Sequence, residues 1–127
     1  MGEPEGAAGP LRRLIASDAV APGQVVEVTI DGTGGELDLV VWRTASGAPC
    51  VMEARCPHNW SHLGAEGAVD GEEIVCCTHY WRFDTAGVGT KLNVNGRRDP
   101  KADIAVFACA EIDGTIILLS GDPAAPE

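Results

Sequence analysis

The 127-residue chain has no apolar run long enough to span a bilayer, so a transmembrane helix is not expected. Its first residues, MGEPEGAAGPLRR, lack the charged-then-apolar order of a secretory signal, and the expected compartment is the cytoplasm. Positive charge is scarce: nine Lys and Arg stand against nineteen Asp and Glu, for a formal net charge of -10. Binding to nucleic acid or to an anionic membrane is therefore disfavoured, since both reward positive charge, and a basic protein is the natural electrostatic complement. The segment GVGTKLNVNG holds an isolated G-x-G with no third glycine in register, which is too little for a dinucleotide fingerprint. No internal repeat of useful length is present, nor any helical pattern longer than a turn or two, although CPHNWSHLGA has room for one such turn.

What the chain does have is short β-like runs and turn residues. Hydrophobic residues make up 45% of it, with sixteen glycines and eight prolines. The runs LRRLIA, QVVEVTI, LDLVVWR, PCVMEAR, EEIVC, IAVFAC and TIILLS recur between Gly, Asp or Pro signals, the spacing of a small antiparallel sandwich or barrel. Asp-Gly in IDGTGGEL and EIDGTII predicts hairpins, and APG at 21–23 predicts a turn. The length suits one domain. Residues 1–10 and 121–127, rich in Gly, Ala, Pro and Glu, are expected to be frayed tails around a domain at 11–120.

All three histidines and three of the five cysteines fall within CPHNWSHLGAEGAVDGEEIVCCTHYWRFD, residues 56–84. Cys56 and His58 form a C-x-H pair, and Cys76 and His79 a C-x-x-H pair. Each pair is local enough to sit on one loop tip, and the intervening segment can return the chain so that two thiolates and two imidazoles close one metal site. Structural zinc accepts two cysteines and two histidines, but its usual pairs are each of one ligand type, whereas here each pair is mixed. Ordinary buried cysteines and scattered histidines are the plainer alternative.

The pattern C-x-H-x17-C-x2-H, with CPH at its start, HLGAEG after the first pair and HYWRFD at its end, resembles the Rieske [2Fe–2S] family. LVVWRTASGAPCVMEARCPH and HYWRFDTAG are most similar to the Rieske domain of non-haem iron oxygenases. The resemblance implies an all-β, antiparallel sandwich or barrel with a smaller cluster-binding part at about 55–85, formed by two loops. It implies one [2Fe–2S] cluster, with Cys56 and Cys76 on one iron and His58 and His79 on the other. Two ferric ions, two sulfides and two thiolates sum to zero charge, so an added electron is accepted more easily than by an all-cysteine cluster. In the family the outer edge of the histidines lies near the surface.

Several neighbours depart from the family. Respiratory members add a cysteine pair bridging the two loops, where this chain has Ser61 and Thr78; no such cross-link can form. They also place hydrogen-bonding residues after the second histidine, where this chain has Tyr80, Trp81 and Arg82, so the potential is expected near the lower end of the Rieske range, roughly -150 mV. Glycine is common in the family at the positions of Trp60 and Tyr80. Their presence predicts loops bent differently, or aromatics that cover the cluster, or aromatics that, with Trp81, pack the loops on the barrel. Cys77, where proline is usual, is expected to be a small buried neighbour, and Cys50 and Cys109 core residues. His62 and the basic run GRRDPKAD are expected to be solvated loop residues.

A Rieske oxygenase carries a further domain with iron held by two histidines and a carboxylate, and with only His62 left over this chain cannot assemble that triad. The expected function is a ferredoxin-type one-electron carrier, taking electrons from a reductase and passing them to an oxygenase or similar redox enzyme. The alternative is a detached Rieske subunit or domain fixed to a catalytic chain. Oligomeric state is left open.

Overall fold

The computed structural model describes residues 12–32, 35–57 and 60–119; both expected tails, and His58, lie outside them. The fold is all-β and antiparallel. In chain order its strands are β1 (Arg12–Ala16), β2 (Val25–Gly32), β3 (Gly35–Arg43), β4 (Pro49–Glu53), β5 (Gly67–Asp70), β6 (Glu73–Cys76), β7 (Trp81–Phe83), β8 (Gly89–Leu92), β9 (Arg98–Pro100), β10 (Val106–Phe107), β11 (Cys109–Ile112) and β12 (Thr115–Leu118), with a 3-10 turn (Ser17–Ala19) after β1 and an α-helical turn, α1 (Leu63–Glu66), before β5. They form three sheets, ordered β1-β12-β11, β10-β4-β3-β2 and β5-β6-β7-β8-β9.

The four-stranded sheet is the middle layer. Along β3, Leu39, Val40, Val41 and Trp42 are all buried, because successive side chains point to opposite faces and both faces are covered. Val40 and Trp42, with Cys50, Met52 and Ala54, meet Leu63, Ile74 and Phe83 of the five-stranded side. Leu39, Val41 and Val51 meet Phe107, Ile116 and Leu118 on the other face. This two-sided burial explains why LDLVVWR is a continuous apolar run instead of an alternating one.

Turn chemistry follows the sequence. Asp113 and Gly114, between β11 and β12, both take positive φ (51° and 77°), as a two-residue primed hairpin turn requires. Ala21–Gln24 closes through the Gln24 N–H on the Ala21 carbonyl (2.9 Å), with Gly23 at φ 82°. The β2–β3 hairpin forms as expected, but Asp31 and Gly32 extend β2, and the residues at its tip fall outside those described. β5, β7, β8 and β9 have no counterpart among the predicted runs.

At the β3–β4 turn lies a buried charge. Arg43 donates from Nε to the Val20 carbonyl (2.6 Å), from its terminal nitrogens to the Ser17 and Gly47 carbonyls, and to both oxygens of Glu111 (3.0 and 2.6 Å). All five guanidinium hydrogens thus have an acceptor, which offsets the cost of taking the charge out of water.

Candidate metal centre

Cys56 follows β4, and Cys76 ends β6; both thiols are buried in the core that also holds Leu63, Ile74 and Phe83. Each cysteine opens a loop of the same backbone form. In the first, the Trp60 N–H bonds to the Cys56 carbonyl (2.8 Å) and the Cys56 N–H to the Ser61 carbonyl (2.9 Å). In the second, the Tyr80 N–H bonds to the Cys76 carbonyl (2.7 Å), and Cys76 pairs with Trp81 across β6 and β7. Both are i+4 closures over four loop residues, and the last of the four takes the left-handed region, Trp60 at φ 61° and Tyr80 at φ 65°.

This geometry corrects one expectation. Trp60 and Tyr80 do not bend the loops away from the conformation a glycine would adopt; both aromatics take the left-handed region open to glycine, despite the clash between Cβ and the carbonyl oxygen. Nor do they pack on the barrel, being 64% and 62% exposed. Trp81 does pack: it is half-buried against the core, with the Lys101 ammonium 5.7 Å from its ring centroid. The segment carrying Lys101 is held by its N–H on the Gly89 carbonyl (2.9 Å), at a crossing where a Cβ on Gly89 would collide with the Ala102 carbonyl.

The two loops touch. Ser61 Oγ and Thr78 Oγ1 are 3.2 Å apart, a hydroxyl bridge at the place where respiratory relatives carry a disulfide. The Cys77 N–H bonds to the Glu66 carbonyl (2.8 Å), tying the second loop to α1, which follows the first. His79 lies exposed at the tip of the second loop. Among the described residues no three His, Cys, Asp or Glu side chains close on one point as a single-ion cage would. Two buried thiols on adjoining loops, with an imidazole at the solvent edge, fit a binuclear cluster whose sulfur ligands face inward and whose histidines face out.

The other residues singled out in the sequence sort by contact. Cys77 is exposed, contrary to expectation, because it occupies the first loop position and its side chain leaves the core that Cys76 enters. His62 is not simply solvated: it precedes α1, bridges Arg55, and its Nδ1 lies 3.2 Å from Glu27 Oε2. Cys50 is buried, which pushes its thiol up to about 12, with Cys109 and Asp84 adding to the effect, so it stays protonated at neutral pH. Cys109 is half-buried and shifted in the same direction by burial. In the basic run, Arg98 is not free in solvent; it bonds Glu73, which also accepts from Arg82, and Arg82 reaches Asp70 (2.5 Å), joining β5, β6, β7 and β9 in one ladder. Burial raises the Glu73 carboxyl, but the two arginines outweigh it and hold its pKa below the ordinary value.

Residues 12–107 match the family model of the Rieske [2Fe-2S] domain. The chain belongs to the Rieske family. The cofactor of that family is the Rieske [2Fe–2S] cluster, and the domain serves electron transfer. Among curated proteins the chain is 36% identical over 107 residues to the 4beta-methylsterol monooxygenase of Methylococcus capsulatus, covering 81% of this chain and 28% of that protein. Among solved structures it resembles dicamba monooxygenase (TM-score 0.76, 22% identity, 94% of this chain and 36% of that one). It also resembles a chain from the complex of reduced oxygenase and oxidised ferredoxin in carbazole 1,9a-dioxygenase (TM-score 0.69, 21% identity, 91% and 96%). This Rieske chain spans about a quarter of the length of the curated relatives it matches. Among the described residues no helix is long and apolar enough to cross a membrane.

Proposed function

We propose that this Rieske chain is a low-potential, ferredoxin-type one-electron carrier of the cytoplasm, holding one cluster through Cys56, His58, Cys76 and His79. It receives electrons from a reductase and delivers them to a non-haem oxygenase or similar redox enzyme. The observation that carries this reading is the pair of matched loops, each opening on a buried cysteine and joined at Ser61 and Thr78, with His79 facing solvent.

When bound, the cluster supplies reversible one-electron chemistry. The chain's own residues set the conditions. Cys56 and Cys76 sit among apolar side chains, which exclude water from the sulfur side. His79 stands where a partner's surface can reach it. The Ser61–Thr78 bridge fixes the separation of the loops without a covalent link. Tyr80 turns outward and Trp81 turns toward the core, positions filled by hydrogen-bonding residues in high-potential relatives, which supports a midpoint near the low end of the Rieske range.

Anaerobic redox titration followed by electron paramagnetic resonance tests the proposal. A reduced mixed-ligand signal with a midpoint of roughly -150 mV is expected, and Cys76→Ser should abolish it together with the bound iron. A midpoint well above zero would remove the low-potential assignment, and bound zinc without any such signal would replace electron transfer by a structural metal.

A second reading has its own support: the curated relatives are several times longer, so the chain corresponds to the Rieske portion of a multi-chain oxygenase and stays bound to a catalytic partner. Size-exclusion with the products of neighbouring genes separates the two, because a carrier elutes alone and a subunit co-elutes in fixed ratio.

A further inference from the structure

We infer that Trp60 and Tyr80 form an aromatic anchor by which the cluster loops dock onto a basic redox protein. The inference rests on the carrier reading and gives its partner a chemistry.

Backbone and exposure point the same way. A left-handed conformation is unfavourable for any L-residue with a bulky side chain, and such strain persists where it serves a site. Here it occurs twice, at the same position of two equivalent loops, and in both cases the residue is a large aromatic. Packing does not repay it, because Trp60 and Tyr80 are 64% and 62% exposed and stand outside both apolar cores. The adjacent Trp81 takes the packing role. Glycine would meet the φ requirement with no side chain at all, so what the two positions add is exposed aromatic surface beside the ligand loops.

That surface has a recognisable use. Trp and Tyr are the side chains most often found as interface anchors, with large area and few rotatable bonds, and their ring faces attract Lys and Arg. The Ser61–Thr78 bridge holds together the two loops that carry Trp60 and Tyr80, and Tyr80 directly follows His79. The chain's net charge of -10 selects the partner class: a basic protein whose cofactor edge lies in an apolar surface ringed by lysines or arginines.

The test compares two oxidants of the reduced protein: mitochondrial cytochrome c, a basic protein with an exposed haem edge, and ferricyanide, which needs no docking surface. The double variant Trp60→Gly, Tyr80→Gly should keep its iron and melt at or above the wild-type temperature. At low ionic strength it should reduce cytochrome c about tenfold more slowly, as expected for loss of two anchors, with the ferricyanide rate unchanged. Trp60→Asn, Tyr80→Gly should behave alike, since asparagine tolerates left-handed backbone. Loss of iron or a lower melting temperature in both variants would make the aromatics structural and overturn the anchor. So would equal slowing with both oxidants, or an unchanged cytochrome c rate. Wild-type protein that reduces ferricyanide while cytochrome c rates ignore both variants removes the anchor and leaves the carrier; wild-type protein that holds no cluster removes both.

Discussion

At the β3–β4 turn, all five hydrogens of a buried guanidinium have acceptors, whereas in the loops that follow β4 and β6 two aromatic side chains stand in solvent on backbone that L-residues resist. The guanidinium of the first region is satisfied within the chain. The second carries left-handed backbone under exposed aromatic surface that lies outside both apolar cores of the described residues. Stability is concentrated where polar groups are saturated, and contact surface where they are not, with β4 running between the two.

Mutations at the satisfied region should therefore change stability without touching the loops. Arg43→Ala leaves the Val20, Ser17 and Gly47 carbonyls without a charged donor, and a loss of about 2–3 kcal/mol in urea unfolding is expected, with iron content unchanged. The pH dependence follows from Glu111, whose carboxyl is lowered to about 2, above all by the hydrogen bonds from Arg43. Its folded pKa lies below the unfolded one, so its contribution is complete above the ordinary 4.5 and is lost as pH falls toward 2. The difference in urea midpoint between wild type and Glu111→Gln should be constant from neutral pH to about 5 and shrink below that; a difference that grows on acidification would contradict the pairing.

At the loops the converse is expected. Thr78→Val removes the hydroxyl bridge and should cost only about 0.5–1 kcal/mol of stability, yet iron should pass to a chelator measurably faster. Unchanged iron release would mean that the loops keep their spacing without the bridge. The smallest effect belongs to Lys101→Ala, which should lower stability by about 0.5 kcal/mol, the worth of a cation over a half-exposed ring. A loss of several kcal/mol there would place part of the stabilising machinery in the cluster sheet and blur the contrast.

The sequence revealed these regions unequally. Mixed Cys and His pairs stand out by residue type, so the two loops were legible at once, as were the long strands β2, β3 and β4 and the turn at Asp113-Gly114. β7 and β9 are three residues each, and β9 (Arg-Asp-Pro) is wholly exposed at a sheet edge; neither has the length or alternation that marks a strand. The left-handed backbone at Trp60 and Tyr80 could not be read from residue type, since large aromatics rarely adopt it. The contact between His62 and Glu27 joins residues thirty-five apart, and the Arg43–Glu111 pair spans sixty-eight, separations at which one sequence carries no local signal. The structure describes neither His58 nor the expected tails.

The two-sided burial of β3 bears on how the chain avoids folding out of register. In a sheet with one wet face, a slip of one residue exposes apolar side chains and is rejected at once. In β3 the run Leu39–Val40–Val41–Trp42 is apolar on both faces, so a slip would merely exchange the residues offered to the two cores, and hydrophobicity alone would discriminate poorly. What discriminates is the next residue along. A one-position shift would carry the Arg43 guanidinium away from Glu111 and three carbonyls, stranding a charge in a dry interior. The same ion pair that resists unfolding thus also acts as a proofreading device for strand alignment.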